Sequence, residues 1–459
     1  MGPTRSNGAV RRASNDLVPL REATRAWFLI SLQTFGGPAG QIAVMQRELV
    51  DERRWLGERR FLHALSYCML LPGPEAQQLA VYAGWLLNGW LGGLIAGVLF
   101  VLPGVVALLA LSWAYVAHGD TVVVTGLFLG LAPAVLAVVV QAVVRIGGRA
   151  LHGRTAVLLA LGAFVGLAVL GLPFPLVVLG AGVVGWLVGR RDPAAMTAPA
   201  VADDGPPPVV PDDALHRAAP SARRNLLVLA LGLAVWVAPV LLVWALAGGR
   251  ETVLTDQGLF FGGLALVTFG GAYAVLSYVA QAAVESYGWL SANEMAKGLA
   301  LAESTPGPLI IVVQFVAFLG AYRDPGGLDP WVAAVVGSLL TVWVTFVPSF
   351  LFIFLGAPYV ERLRGNRALT AALAGVTAAV VGVIANLALY FAVHTLFADT
   401  RRLGAEHLGL LVPVWSSVVW PAVLVAAVAL VLVLRLRWSV LRTLGVCALL
   451  GLGLEVLLS

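Results

Sequence analysis

Apolar residues in this chain neither alternate nor keep to one helical face. They come in solid runs of about 20 residues, separated by short polar stretches rich in arginine. A helix rises ~1.5 Å per residue, so about 20 residues cross the ~30 Å hydrocarbon core of a bilayer. The pattern predicts thirteen spans, at about 24–46, 62–86, 89–117, 121–144, 155–171, 173–189, 225–247, 257–282, 297–320, 331–357, 368–397, 412–434 and 439–457. Residues 190–224, rich in Pro, Ala and Asp, lack the apolar content to order themselves and read as a flexible cytoplasmic linker. The fold class expected is an all-α polytopic membrane protein.

Two runs are broken in the same way. "LLPGPEAQQLAVYAGW" (70–85) and "STPGPLIIVVQFVAFLGA" (304–321) each carry Pro-Gly-Pro inside an apolar segment. Aligned without a gap, Thr34-Phe35-Gly36-Gly37 falls on Thr268-Phe269-Gly270-Gly271, Trp55-Leu56 on Trp289-Leu290, and Pro72-Gly73-Pro74 on Pro306-Gly307-Pro308. Each pair is 234 residues apart. Beyond a longer connection, Pro103 falls opposite Pro348 and Gln141 opposite Asn386, 245 apart. The chain reads as two homologous halves. A cytoplasmic tail (1–23) precedes the first repeat (24–189). The linker (190–224) and a connecting helix (225–247) lead into the second repeat (248–459). Six spans plus one start the second half on the opposite face, so the repeats are inverted, an architecture of secondary transporters with the substrate site where the repeats meet.

Composition narrows the class. Sixty per cent hydrophobic and 12% charged residues are far from a soluble domain. The net charge of +5 sits mostly in arginine clusters between apolar runs, as the positive-inside rule produces, so no nucleic-acid partner is expected. With the N-terminus cytoplasmic, the clusters at Arg145–Arg154, Arg190–Arg224, Arg362–Arg367 and Arg435–Arg442 fall inside. Those at Arg53–Arg60 and Arg401–Arg402 fall outside, against the rule. The polar first 25 residues predict no cleavable signal peptide. The two cysteines form no CxxC, no GxxxxGK[ST] occurs, and neither HExxH nor GxSxG is present. No metal, cofactor or enzymatic activity is expected.

At the breaks, proline removes a backbone donor and glycine permits the turn. Pro74 and Pro308 suit the first position of a restarting helix. Its free N–H groups and partial positive charge make an anion site. Gln77 and Gln78 add amides, and Gly36-Gly37 and Gly270-Gly271 suit a second break in each half. Glu75 and Glu303 flank the Pro-Gly-Pro turns, and an ionisable residue at membrane depth is a functional candidate. A carboxylate there repels an anion when ionised and tolerates it when protonated, which couples anion movement to protons; Glu75 as a simple helix-start acid is the alternative. Arg47 and Glu48 read as a gate or as a solvated face. Lys297, the chain's single lysine, reads as an anion attractor or, better, as a snorkelling side chain.

The residues "FGGPAGQIAVMQRELV", "RRWLGERRF", "LLPGPEAQQLA" and "FVLPG", followed by "FGG", "GWLSANEM" and "STPGPL", resemble the chromate ion transporter family, from about Ala26 to Leu434. The resemblance implies a multi-pass carrier of the cytoplasmic membrane that exports chromate and confers resistance to it. Motif by motif it carries over Phe35, Gly36, Gly37, Pro38, Gln41, Arg47, Glu48, Arg54, Trp55, Leu56, Pro72, Gly73, Pro74, Glu75, Gln77 and Gln78. In the second half it carries over Phe269, Gly270, Gly271, Trp289, Glu303, Pro306, Gly307 and Pro308. Many relatives have histidine where this chain has Gln41, so a titrating imidazole there is excluded while hydrogen bonding is kept. The partners implied are chromate or a similar oxyanion such as sulfate, the lipid bilayer, and protons as coupling ion; homo-oligomer formation stays open. The residues alone reach a small-anion secondary transporter, with an anion channel as a further reading.

Overall fold

The computed structural model describes residues 17–34, 37–69, 71–119, 121–151, 153–191, 207–210, 221–268, 272–363, 367–405 and 408–458. Nearly all of them are helical. The first half holds α1 (Leu20–Ser31), α2 (Gly37–Gln46), α3 (Glu58–Cys68), α4 (Glu75–His118), α5 (Val122–Ala150), α6 (Arg154–Ala168) and α7 (Phe174–Arg191). Helix α8 (Ala222–Leu246) connects to α9 (Val253–Val267), α10 (Ala272–Gln281), α11 (Ala292–Ser304), α12 (Val312–Arg323), α13 (Pro330–Leu363) and α14 (Arg367–Leu396). A small antiparallel hairpin, β1 (Thr400–Ala405) and β2 (Leu408–Pro413), precedes α15 (Trp420–Leu430) and α16 (Val440–Leu458). Wider π turns extend α2 over Arg47–Glu52 and α10 over Ala282–Ser286. Among the described residues six helices are long and apolar enough to cross a membrane, and the chain is an all-α polytopic membrane protein.

Four of the thirteen expected spans prove to be pairs of short helices. Span 24–46 becomes α1 and α2; 62–86 becomes α3 and the first part of α4; 257–282 becomes α9 and α10; 297–320 becomes α11 and α12. Helix α4 is itself interrupted by non-helical Asn88 and Gly89. A helix of 10–15 residues is ~15–22 Å long, too short to cross. In the second half these pairs turn back. Arg323, ending α12, donates to the carbonyl of Trp289, between α10 and α11, at 3.1 Å. A Cβ on Gly326, just past α12, would lie 3.6 Å from Thr252, just before α9. The chain thus enters and leaves by one end twice. In the first half Leu17 N–H donates to Leu87 O at 3.0 Å and Asn88 Nδ2 to Val18 O, so the start of α1 and the end of the first part of α4 share one end, and Arg47, just past α2, reaches back to donate to Gln33, just past α1, at 2.7 Å.

The tail helices of each half pack on the other half. Helix α14 lies against α6 and α7, while α5 lies against α15 and α16. Small residues make both contacts: Gly375 is pressed onto Ala181 and Gly185, and Gly130 onto Cys447 and Gly451. Gly130 and Gly375 are 245 residues apart, the spacing of Pro103 and Pro348. Glycine lets backbones approach closely where lipid gives no hydrophobic drive to associate. The exterior is apolar. Helix α8 buries none of its residues and holds to α13 through paired tryptophan bonds, Trp236 Nε1 to Val344 O and Trp343 Nε1 to Val235 O, each 2.9 Å. Such a surface suits lipid, not water.

Within the expected linker, Arg190 and Arg191 end α7, residues 222–224 begin α8, and Val209 and Val210 between them are held by backbone bonds. Val209 N–H donates to Arg54 O at 2.9 Å, Val210 N–H to Trp55 O at 3.0 Å, and Val210 is buried beside Trp55 and Leu56.

Candidate functional site

The two Pro-Gly-Pro turns lie where the halves meet, and each is bonded to the opposite half. Gly73 N–H donates to Thr268 O at 2.8 Å; Gly307 N–H donates to Thr34 O at 3.0 Å. Thus each proline-flanked break is tied to the threonine that opens the other half's glycine-rich break. Both glycines have positive φ, +119° and +110°, a conformation that side-chain-bearing residues seldom adopt. A second reciprocal contact surrounds the first. Gly104 of α4 is pressed against the carbonyl of Pro306, and Ser349 of α13 stands over Gly73, its Oγ 3.1 Å from where a Cβ would sit. Gly104 and Ser349 each follow the aligned prolines, Pro103 and Pro348.

Polar side chains converge here. Gln41 on α2 is buried and donates through Nε2 to Gly307 O across the halves. Gln78 Nε2 donates to Pro72 O at 2.7 Å. Gln314 on α12 donates to Val105 O at 3.0 Å. Gln77 is wholly buried, and neither its Nε2 nor its Oε1 has a hydrogen-bond partner among the described residues. Gln41 Oε1, Gln78 Oε1 and Ser349 Oγ share that condition. A buried polar atom left unpaired costs ~1–3 kcal/mol, so such a group marks a place where a polar ligand or water completes the set.

Pro74 and Pro308 occupy the N-cap positions, one residue before the expected first helical position, so Glu75 and Leu309 begin the restarts. The first bond of α4 runs from Gln78 N–H to Pro74 O at 3.0 Å, placing the N–H groups of Glu75, Ala76 and Gln77 ahead of the ladder. The donors of Gly73 and Gly307 are taken up by threonine carbonyls, so the donors left open here are the first-turn N–H groups of α4 and the Gln77 amide. Glu75 is half-buried at that helix start, and Glu303 is buried in the last turn of α11.

Not every candidate comes to the centre. Gly37, at the start of α2, and Pro38 lie next to the Thr34 turn, Gly37 buried and Pro38 half-buried. Phe35, Gly36, Phe269, Gly270 and Gly271 lie outside the described residues. Arg47 and Glu48 belong to an ion-pair network on the π turn after α2. Arg47 reaches Glu52 at 3.4 Å and donates to Gln33 at 2.7 Å, while Arg53 meets Glu48 at 3.3 Å. This network satisfies its own charges, and Arg47 is half-exposed, so these two residues do not join the break cluster. Beyond the residues expected from the sequence, the structure brings in the carbonyls of Thr34 and Thr268, Gly104, Ser349 and Gln314. The first two stood in the aligned TFGG motif, and Gly104 and Ser349 one residue past an aligned proline.

Comparison with known proteins bears on the family. A family profile described as "Chromate transporter" matches residues 21–186 and 255–452, both halves. A "Chromate transport protein" of Pseudomonas aeruginosa is 34% identical over 396 residues, 83% of this chain and 83% of its own length. One of Cupriavidus metallidurans is 26% identical over 375 residues, 81% of this chain and 82% of its own. The "Uncharacterized transporter YwrB" of Bacillus subtilis is 29% identical over 164 residues, 83% of its length but 35% of this chain. No solved structure matches significantly.

Proposed function

The chain belongs to the chromate transporter family, and from that premise we propose that it exports chromate across the cytoplasmic membrane as a secondary active carrier. The observation that carries this reading is the reciprocal pair of bonds, Gly73 to Thr268 and Gly307 to Thr34, which joins two similar halves at facing helix breaks. Carriers built of inverted repeats hold substrate at such breaks and alternate access by rocking one repeat against the other. Chromate is a tetrahedral dianion, which helix-start N–H groups and amide donors suit. An inside-negative potential drives its exit, at about 2.3 kcal/mol per charge per 100 mV.

Topology supports the orientation. With each helix–break–helix pair turning back, the first half crosses an even number of times, whether α6 and α7 cross or pair back, and α8 crosses once, so the second half is inverted. The loop at Arg53–Arg60, bonded to linker residues 209–210, then shares the linker's face. Five arginine clusters gather on one face, which the positive-inside rule makes cytoplasmic together with the N-terminus. Arg401 and Arg402, on β1, remain opposite. The proposed proton coupling acts through Glu75 and Glu303.

The test is radiolabelled chromate uptake into everted membrane vesicles, with an imposed proton gradient and excess sulfate as competitor. Gradient-dependent uptake that sulfate barely lowers is the expected result. Uptake abolished by modest sulfate makes the protein a general oxyanion carrier instead. No uptake under any gradient withdraws the cargo.

A further inference from the structure

The turn between α2 and α3 and the aligned turn between α10 and α11 are built alike but held differently. Trp55 N–H donates to Leu49 O and Trp289 N–H to Ala283 O, each at 2.8 Å. In the second half the Trp289 carbonyl then accepts from Arg323, a side chain of the same half. The first-half position aligned with Arg323, 234 residues earlier, is Gly89, which has no side chain to offer. The Trp55 carbonyl accepts instead from Val210 N–H of the linker, and the Arg54 carbonyl from Val209 N–H. The backbones differ as well. Gly288 takes φ +63° without strain, whereas the aligned Arg54 holds φ +52°, which side-chain-bearing residues seldom adopt. The linker run "GPPPVVP" (205–211) suits the task, because after Gly205 only Val209 and Val210 carry an N–H, and both are spent on this turn. Pro207 and Pro208 fix φ, which lowers the chain entropy that docking costs. Val210 is 4% exposed, within the apolar cluster that holds Trp55 and Leu56.

We propose that residues 207–210 are an autoinhibitory strap. Docked on the Trp55 turn, they hold the first half closed on the face that the linker shares; undocked, they let it open. The turn joins α2, which carries Gln41, to α3, which leads into the Pro-Gly-Pro break, so opening on this face must move it. The second half keeps its clamp within the repeat, on α12. The first half's clamp lies between α7 and α8 and in neither of them, so it can be withdrawn without unwinding a helix. Only the undocked fraction takes substrate from this face, and the docking equilibrium therefore scales transport. The strap rests on the carrier reading for there being a mouth that opens, and not for the cargo.

The test reads docking and opening separately, on the full-length protein in detergent. Docking is read by hydrogen exchange, since the only amides in 206–211 are those of Val209 and Val210. Opening is read as the rate of maleimide alkylation at native Cys68, buried at the end of α3 just before the Pro-Gly-Pro turn. Cys447, buried where α16 meets α5, is the control. In the parent both amides are expected to exchange slowly. Val210→Asp, which sets a carboxylate against Trp55 and Leu56, and Val210→Pro, which deletes one donor, are expected to speed Cys68 alkylation about fivefold, as loss of one hydrogen bond predicts. Cys447 should keep the parent's rate, and initial chromate uptake into everted vesicles should rise, a gain that a misfolded variant cannot imitate. Val209→Ala keeps its N–H and alters an exposed side chain, so it should match the parent throughout. Fast exchange in the parent, unchanged Cys68 alkylation in both Val210 variants, or slower uptake overturns the proposal. Alkylation that rises equally at Cys447 overturns it too, making the segment a brace of the fold. If the exchange and alkylation results hold and no variant takes up chromate, the strap stands and the cargo falls.

Discussion

The N–H of Gly73 donates to the carbonyl of Thr268, a residue of the other half, and Gly73 can do so because its φ is +119°. Alanine there costs ~1–3 kcal/mol in backbone strain. It also drives a Cβ to 2.8 Å from Gln78 Nε2 and 3.1 Å from Ser349 Oγ. At Gly307 the φ is similar, +110°, but the nearest atom is 3.5 Å away. Gly73→Ala should therefore lower the unfolding temperature in detergent, and the uptake rate, more than Gly307→Ala does. Equal losses would show that strain alone matters and that packing under Ser349 does not.

Gln41 carries a side-chain bond from α2 to the second half's break. Gln41→Leu leaves Gly307 O buried without that donor, at a cost of ~1–3 kcal/mol. Gln41→His keeps a ring N–H within reach. The leucine variant is expected to lose thermal stability and uptake together, and the histidine variant to recover most of both. Thermal unfolding of the two proteins side by side settles it.

The turn-back of α1 and α2 has a consequence for sidedness. Asp51 is exposed beside the loop that binds Val209 and Val210, and Val209 is exposed in the linker. Cysteines placed at Asp51 and at Val209 should react with a membrane-impermeant maleimide from the same face. Were 24–46 a single crossing, Asp51→Cys would label only from the opposite face.

That difference shows what the sequence held. The breaks, the repeat spacing and the polar residues at Pro-Gly-Pro were all readable, because proline and glycine act locally and motifs recur at fixed spacing. Span 24–46 was not readable as a turn-back. Its 23 residues match one crossing in length, and two half-helices around a break need the same number. The exchange of tail helices was hidden for another reason. Helices α5, α14 and α16 are apolar all round, so no polar stripe says which face meets protein and which meets lipid. Only Gly130 and Gly375, 245 residues apart like the aligned prolines, carry a trace of it. Residues 207–210 look like disordered linker by composition, yet two backbone bonds and the burial of Val210 hold them.

Glu75 starts α4 at the break, and Glu303 ends α11 beside the other. If their protonation admits the anion, Glu75→Gln and Glu303→Gln carry a permanently neutral mimic of the protonated state. Chromate uptake measured from pH 6 to pH 8 should then lose its pH dependence in the variant that bears the coupling, while the parent keeps it. A Glu75→Gln variant that loses stability and keeps the parent's pH profile assigns Glu75 to the helix dipole alone.

Glu294 and Arg323 fasten the mouth of the second half, with Arg323 Nη2 to Glu294 Oε1 at 2.6 Å. Burial pushes the Glu294 carboxyl up, but the bonds from Arg323 and from Ser291 outweigh it and hold the carboxyl below its usual range. A carboxyl whose folded pKa lies below its unfolded value adds stability that is complete above the unfolded pKa, about 4.3. That stability is lost as pH falls through the folded pKa, when the proton enters and the pair breaks. Unfolding temperature should therefore fall as the pH of the detergent solution drops from 6 toward 3, more steeply in the parent than in Glu294→Gln. At pH 7 the glutamine variant should be the less stable of the two, and the gap should close on acidification. A gap that is constant with pH would mean that packing around Ser291 and Trp289, and not the charge on Glu294, holds this end of α11 to α12.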